Sequence, residues 1–313
     1  MATIPKVKIQ SSYYHKNIVL GVALLNNQKV FYKFGENLQN EITGYQKVKD
    51  FYDVPKLIFQ NRGTLIYEYK EELMTNTLHE YFYFNKKACI IKVLEALKKP
   101  YSTLQRKKEE LLENQKFFKG RTNLLLQYLK DLTLPKELKD ILKEIIRILN
   151  KPKTLSSIIS LGDPTDTNIS SFGLFTDFEN AGFNSVVGEI AILFSSVITH
   201  GGYFYPKYNQ DAYFLRSKIL NCYQQYKPNL FFDIPIKKKE FLLAYLTFLN
   251  QLKEIREDAN KYLKYYLCMR ILSPISLFLM SYEDYNLALF YVYYIYHNVN
   301  SLSDLIKLVK EEI

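Results

Sequence analysis

A polar stretch, "SLGDPTDTNISSFGLFTDFEN" (residues 160–180), carries the side chains of this sequence that are best suited to chemistry. Asp163, Asn168 and Asp177 lie at hairpin spacing, among apolar residues that resemble short strands. Mg²⁺ prefers carboxylate and amide oxygens, and an aspartate can orient an alcohol and accept its proton. The stretch therefore fits either a magnesium and phosphate site or a surface hairpin with polar turn residues.

A lysine and a glutamate earlier in the chain fit the same chemistry. Lys33 ends a strand-like run, and Glu41 lies near the start of the helical segment that follows. A lysine at that position can bind the α- and β-phosphates of a nucleotide while the glutamate holds it by an ion pair. Each residue alone also has an ordinary interpretation, as an exposed lysine or as a glutamate at a helix N-terminus. The order and spacing of the whole set favour phosphoryl transfer, which depends on positioning and on cations.

The elements that must position these residues change character along the chain. Residues 1–70 contain three strand-like runs, a segment with apolar residues at helical spacing, and two more strand-like runs, which predict a small β-rich lobe. Residues 71–313 are mainly helical in pattern, most clearly at "PKELKDILKEIIRILN" (residues 135–150). The predicted fold class is α+β, with the polar stretch as a strand-like island among helices.

Composition narrows the class of protein. An apolar fraction of 48% and a charged fraction of 24% are those of a globular protein. The sequence shows no long charge-free apolar run, no secretory signal and no paired cysteine spacing, so we expect a cytoplasmic protein without membrane insertion. The net charge of +10 fits an anionic partner, but lysines alternate with glutamates instead of forming one block, which disfavours nucleic-acid binding.

The motifs, in this order, resemble those of the aminoglycoside phosphotransferase and choline kinase superfamily. The run "LGDPTDTNI…FTDFENAGFNSVVGEIAIL" is similar to the family's "HGDxxxxN…DxE" motif, and "KVFYKFGENLQNEITGYQ" is similar to its lysine strand and glutamate helix. The resemblance covers roughly residues 10–230. It implies a bilobal protein-kinase-like fold, with ATP and Mg²⁺ as cofactors.

The resemblance also implies a role for each matching residue. Asp163 would be the catalytic base, and Asn168 and Asp177 would bind Mg²⁺. Lys33, paired to Glu41, would bind the phosphates of the nucleotide. The other implied positions are the backbone that meets the adenine (Glu68, Tyr69, Lys70), the loop over the phosphates (Ser11 and Ser12, within residues 11–17) and a carboxylate that braces the catalytic loop (Glu189).

Two departures from the family pattern affect loop geometry more than chemistry. Leu161 stands where the family usually has a histidine that packs the catalytic loop. No glycine occurs between residues 11 and 17, where the loop over the phosphates is expected.

The acceptor is defined only by weaker signals. The run "DFENAGFN" is most similar to choline and ethanolamine kinases, and a quaternary ammonium would need an aromatic cage with an acid nearby. Glu179, Tyr265 and Tyr282 are the candidate substrate residues. The predicted function is transfer of the γ-phosphate to a hydroxyl of a small molecule, such as an amino alcohol or a sugar. The acceptor could also be a neutral or anionic metabolite or a macromolecule, and the donor could be GTP. An inactive binding module also stays open, as does the oligomeric state.

Overall fold

A computed structural model describes residues 5–15, 17–36, 38–71, 73, 76–84, 87–131, 134–198, 234–272, 282–311 and 313. The chain divides into two compact units. The first unit consists of residues 1–102, 159–162 and 167–182, and the second of residues 103–158, 163–166 and 183–313. The predicted boundary at residue 70 lies within the first unit.

The first unit is built on a five-stranded antiparallel sheet with the strand order β1-β2-β3-β5-β4, in which helix α1 connects β3 to β4. Alternate side chains of the strands face one side, where Ala23, Val30, Tyr32 and Ile66 are fully buried. The elements are β1 (Lys8–His15), β2 (Ile18–Leu25), β3 (Gln28–Gly35), α1 (Gln39–Val48), β4 (Leu57–Asn61) and β5 (Thr64–Glu68).

Residues 167–182, which include the predicted metal ligands, are held in the first unit by backbone hydrogen bonds to two further helices. These helices are α2 (Leu78–Phe84) and α3 (Ile90–Lys98). The N–H of Leu78 donates to the carbonyl of Ile169, and the N–H of Cys89 donates to the carbonyl of Ser171, each at 2.8 Å. Because both bonds are made at helix N-termini, they satisfy backbone donors that a helix itself leaves unpaired.

The second unit is mainly helical, and its helix α8 packs against α4, α5, α6, α9 and α10. A small sheet with the strand order β6-β7-β8 and a 3₁₀ turn (Glu109–Leu111) accompany the helices. The bounds are β6 (Gln105–Lys108), α4 (Glu113–Asp131), α5 (Lys136–Asn150), β7 (Thr154–Ser160), β8 (Gly182–Ser185), α6 (Val186–Ile198), α7 (Ile236–Leu249), α8 (Lys253–Leu272), α9 (Tyr282–Asn298) and α10 (Leu302–Lys310).

The α+β prediction is confirmed, as is the predicted order of three strands, one helix and two strands. This order places Lys33 on the third strand and Glu41 on the helix that follows, as in kinase-like folds. Strand β6 was not predicted, because its sequence "QRKK" lacks apolar alternation and is held by backbone pairing with β7. Among the described helices, none combines the length and the hydropathy needed to cross a bilayer.

Candidate functional site

In the first unit, Lys33 lies between two carboxylates. Its Nζ is 2.8 Å from Oε1 of Glu41 and 3.7 Å from Oδ1 of Asp177. The side chains of Lys33 and Glu41 are 14% and 6% exposed, whereas that of Asp177 is 40% exposed. Burial acts to lower the pKa of Lys33, but the two carboxylates outweigh it and raise the pKa, so the ammonium is charged at neutral pH. The structure thus brings together three of the predicted site residues.

Glu41 is held by further donors that the sequence did not indicate. The hydroxyl of Tyr67, on β5, donates to Oε1 of Glu41 at 3.4 Å, and the backbone N–H of Phe178 also donates to this carboxylate. Burial and the charge of Glu41 raise the pKa of Tyr67 far above its usual value, so the phenol keeps the proton that it donates. Glu41 is therefore held by Tyr67 on the sheet and by the backbone of Phe178, the residue that follows Asp177.

Gly44 on α1 allows the helix to approach residues 177–178 closely. A methyl group on Gly44 would lie 1.9 Å from the carbonyl oxygen of Phe178, far inside van der Waals contact. The ring of the neighbouring Tyr45 packs in a T-shaped arrangement against the ring of Phe178, with 5.4 Å between centroids. The approach of α1 that brings Glu41 to Lys33 thus requires a residue without a side chain at position 44. A glycine inside a helical pattern is the sequence signal for this contact.

Asn168 and Asp177 flank the two arms of a short hairpin, as predicted. Ile169 and Phe175 form an antiparallel bridge, and the N–H of Thr176 donates to the carbonyl of Asn168 at 3.0 Å. Asp177 has φ of 65°, a left-handed conformation that is uncommon for aspartate and recurs at functional sites. The side chains of Asn168 and Asp177, whose oxygens can bind a metal ion, therefore stand on adjacent arms of the hairpin. That of Asp177 is partly exposed, as binding of Mg²⁺ together with phosphate oxygens requires.

The sharp turn before Asp163 depends on Gly162. This glycine has φ of +76°, and a Cβ at this position would lie 2.2 Å from the carbonyl oxygen of Asn180. The preceding Leu161 is 1% exposed. Position 161 is thus filled by an apolar side chain that is fully packed.

Asp163 belongs to the second unit, where its partner is Arg270 on α8. Oδ1 of Asp163 lies 3.2 Å from Nη2 of Arg270, and the side chains are 29% and 8% exposed. The backbone carbonyl of Asp163 accepts a hydrogen bond from the N–H of Thr165 at 2.8 Å. Sequence reasoning missed Arg270, although an arginine within the apolar run "YYLCMRIL" is a signal of a buried charge with a partner.

Asp166 is part of a buried ion pair in the second unit. Its Oδ2 lies 3.2 Å from Nζ of Lys238, and its Oδ1 accepts from the hydroxyl of Ser196 at 2.8 Å. The N–H of Asp166 donates to the same Ser196 hydroxyl at 2.7 Å, and Lys238 also donates to the carbonyl of Val197 at 3.0 Å. Residues 163–166 are thereby fixed to α6 and α7. The signal for Lys238 is its place in the buried stripe of α7, which continues with Phe241, Leu242 and Tyr245.

Ser11 and Ser12, which are predicted to lie over the phosphates, are part of the sheet. Ser11 and Ser12 pair with Val22 and Gly21 inside β1 and β2, so most of residues 11–17 form a strand. A side chain at position 21 would collide with the carbonyl of Ser11, at 2.0 Å, so the glycine that this hairpin requires is on β2.

The predicted hinge follows the end of β5. Glu68 pairs with Lys70 at 2.8 Å, and this hydrogen bond lowers the pKa of Glu68. The ammonium of Lys29 lies 5.4 Å from the ring centroid of Tyr69. The nucleotide contacts of these residues stay predictions.

The candidate substrate residues lie in different surroundings. Glu179 is exposed in the first unit, and the bracing candidate Glu189 is buried in α6 of the second. Tyr265 donates to Glu144 at 2.8 Å. It precedes Arg270 by five residues on α8, which places the two side chains about 140° apart around the helix axis. Tyr282 begins α9, and its side chain lies outside the described residues.

No protein-family model matches the chain, and no curated protein matches it. Among solved structures, the chain is similar to a choline kinase from Cryptosporidium parvum Iowa II, with 11% identity, coverage of 98% of this chain and 91% of that one, and a TM-score of 0.47. It is similar to an ethanolamine kinase from Plasmodium vivax, with 11% identity, coverage of 85% and 74%, and a TM-score of 0.49. An aminoglycoside-3'-phosphotransferase of type VIII matches with 11% identity, coverage of 70% and 86%, and a TM-score of 0.41. Because these values are low, the function proposed below rests on the residues of this chain.

Proposed function

We propose that this chain is an ATP- and Mg²⁺-dependent phosphotransferase that moves the γ-phosphate to a hydroxyl group of a small molecule. The observation that carries the proposal is the position of Lys33, whose ammonium is 2.8 Å from Glu41 and 3.7 Å from Asp177. Binding of a nucleoside triphosphate needs such a lysine: buried, charged, fixed by a glutamate and adjacent to a partly exposed aspartate.

The first unit would bind the nucleotide. Lys33 would donate to the α- and β-phosphates, and Glu41 would keep its ammonium in place. Asn168 and Asp177 would hold Mg²⁺, which when bound would neutralise charge on the transferring phosphoryl group. The described residues contain no cluster of three or more His, Cys, Asp or Glu side chains that could hold a metal. An ion that is bound mainly by phosphates and water does not need such a cluster.

Asp163 would orient the acceptor alcohol. The hydroxyl oxygen attacks the γ-phosphorus, the bond from that phosphorus to the bridging oxygen of ADP breaks, and the hydroxyl proton passes to the carboxylate of Asp163. Arg270 keeps this carboxylate in one orientation through its bond to Oδ1.

The test measures Mg²⁺-dependent ATP consumption with pooled alcohols, which include choline, ethanolamine, sugars and aminoglycosides, together with ATP binding by calorimetry. Asp163→Asn should lower kcat by about 10²- to 10⁴-fold and leave ATP binding nearly unchanged, because it removes the base and keeps the proposed nucleotide-binding residues of the first unit. Lys33→Met should weaken ATP binding.

Matched controls are Asp140→Asn and Lys92→Met, which make the same charge changes at exposed positions. Tight ATP binding without turnover of any pooled alcohol would favour a macromolecular acceptor. Absence of both binding and turnover in the wild type would favour the inactive module and contradict the proposal.

A further inference from the structure

In the second unit, two arginines face the ring of Phe117, and one of them, Arg270, pairs with the proposed catalytic base Asp163. The guanidinium carbon of Arg270 lies 5.1 Å from the centroid of Phe117, and that of Arg121 lies 5.5 Å from the same centroid. Phe117 and Arg121 are four residues apart on α4 and therefore share one helix face. Contact with the ring restricts both guanidinium groups, and Arg121 is close enough to Arg270 for its charge to act on that residue.

Among the residues that the structure describes, the charge in this cluster is unbalanced. One carboxylate, that of Asp163, pairs with Arg270 at 3.2 Å. Over the part of the chain that the structure describes, no carboxylate lies within ion-pair distance of Arg121. Burial lowers the pKa of Arg270, Asp163 opposes this effect, and the positive charge of Arg121 adds to it. Arg270 is still charged at neutral pH, because guanidinium groups are not deprotonated in proteins.

An excess of fixed positive charge selects the charge of a ligand. A guanidinium offers a planar fork of donors that matches carboxylate and phosphate oxygens. An ammonium group placed against Arg121 would instead meet a like charge without compensation. A choline-like or aminoglycoside-like acceptor is therefore disfavoured beside these two arginines.

We infer that the acceptor alcohol carries an anionic group, a carboxylate or a phosphate, which Arg121 and Arg270 bind while its hydroxyl lies on Asp163. This inference rests on the proposed phosphotransfer function. In this arrangement Arg121 is a specificity-determining residue. Arg270 has two tasks, because it positions Asp163 and contributes to the anion site.

The experiment compares five small alcohols as acceptors: ethanolamine and choline as cations, glycerol as a neutral molecule, and glycerate and glycerol 3-phosphate as anions. We expect the kcat/KM of at least one anion to exceed that of glycerol by about tenfold or more, since one charge-assisted contact supplies that factor. The carboxylate and the phosphate are distinguished by which of the two anions is preferred.

The decisive variant is Arg121→Gln. It should raise the KM of the preferred anion by about 10- to 100-fold, leave kcat nearly unchanged, and leave the KM of glycerol and the Kd of ATP unchanged. Arg121→Lys, which keeps the charge, should recover part of the loss. Arg256→Gln, at an exposed position of α8, removes the same charge and should have no such effect.

Preference for choline or ethanolamine would overturn the inference, as would an Arg121→Gln variant that weakens ATP binding instead of acceptor binding. Calorimetry with glycerol 3-phosphate, glycerate and inorganic phosphate separates this inference from the proposed function. Binding of an anion that Arg121→Gln weakens, without turnover of any alcohol, would support the anion site and contradict phosphotransfer to these acceptors. If no anion binds and none is turned over, the anion site is wrong.

Discussion

Gly44 offers a direct test of how the first unit positions its ion pair. Replacement by alanine places a methyl group 1.9 Å from the carbonyl oxygen of Phe178, and contacts below 3.0 Å require something to move. The obstacle is backbone, so helix α1 and the segment at Phe178 must separate by about 1 Å or more, at a cost of about 1–3 kcal/mol for overpacking. Glu41 lies one turn earlier on the helix and moves with it.

The consequence for Lys33 follows from the distance of its hydrogen bond. Its bond to Glu41 is 2.8 Å, and a displacement of about 1 Å exceeds the hydrogen-bond range. A loosened Lys33 should bind ATP more weakly by about 5- to 30-fold, which corresponds to 1–2 kcal/mol. Calorimetric titration of ATP and urea unfolding measure the two effects.

Gly120→Ala is the matched control for Gly44→Ala. Gly120 is an exposed residue of α4, and a methyl group there meets nothing within 4 Å. Alanine in place of glycine inside a helix stabilises by about 0.5–1 kcal/mol, so Gly120→Ala should raise stability and leave ATP binding unchanged. If Gly44→Ala is equally stabilising and binds ATP like the wild type, the close approach of α1 to Phe178 is wrong.

Two further predictions concern the second unit. Lys238→Met should destabilise the chain by about 3–5 kcal/mol in urea unfolding, because it removes the cation that pairs with the buried carboxylate of Asp166. Adding Asp166→Asn should recover part of this loss. Equal instability of the single and double variants would contradict the pairing. Hydrogen bonds from Tyr296 and then Tyr265 lower the pKa of Glu144 below its usual 4.5, so its folded state binds protons less readily than its unfolded state. The contribution of Glu144 to the free energy of unfolding is therefore complete above pH 4.5 and declines as the pH falls through the lowered pKa. The difference in this free energy between wild type and Glu144→Gln should be largest at pH 7 and vanish in acid. A difference that is constant with pH would refute this assignment.

The sequence predicted the elements of the fold and the pair of Lys33 with Glu41, but not the partners of the buried charges in the second unit. The apolar stripe of residues 135–150 predicted α5, which the structure begins at Lys136 and ends at Asn150. The pairs that fix the second unit join residues distant in sequence, since Arg270 follows Asp163 by 107 residues and Lys238 follows Asp166 by 72. Periodicity marks such charges as buried but does not identify their partners, which depend on how the helices pack.

These long-range contacts also bear on the departure at Leu161. A histidine at this position would fix the catalytic loop by a hydrogen bond, and its absence motivates the inactive-module alternative. In the second unit, residues 163–166 have other fixed points: Arg270 holds the side chain of Asp163, and Ser196 with Lys238 holds Asp166 at both carboxylate oxygens. A loop held at both ends by charged and hydroxyl partners needs no histidine for its orientation, because charge-assisted hydrogen bonds are stronger than neutral ones. The apolar Leu161 is therefore compatible with a working base, and the chemistry depends on whether Asp163 receives an alcohol.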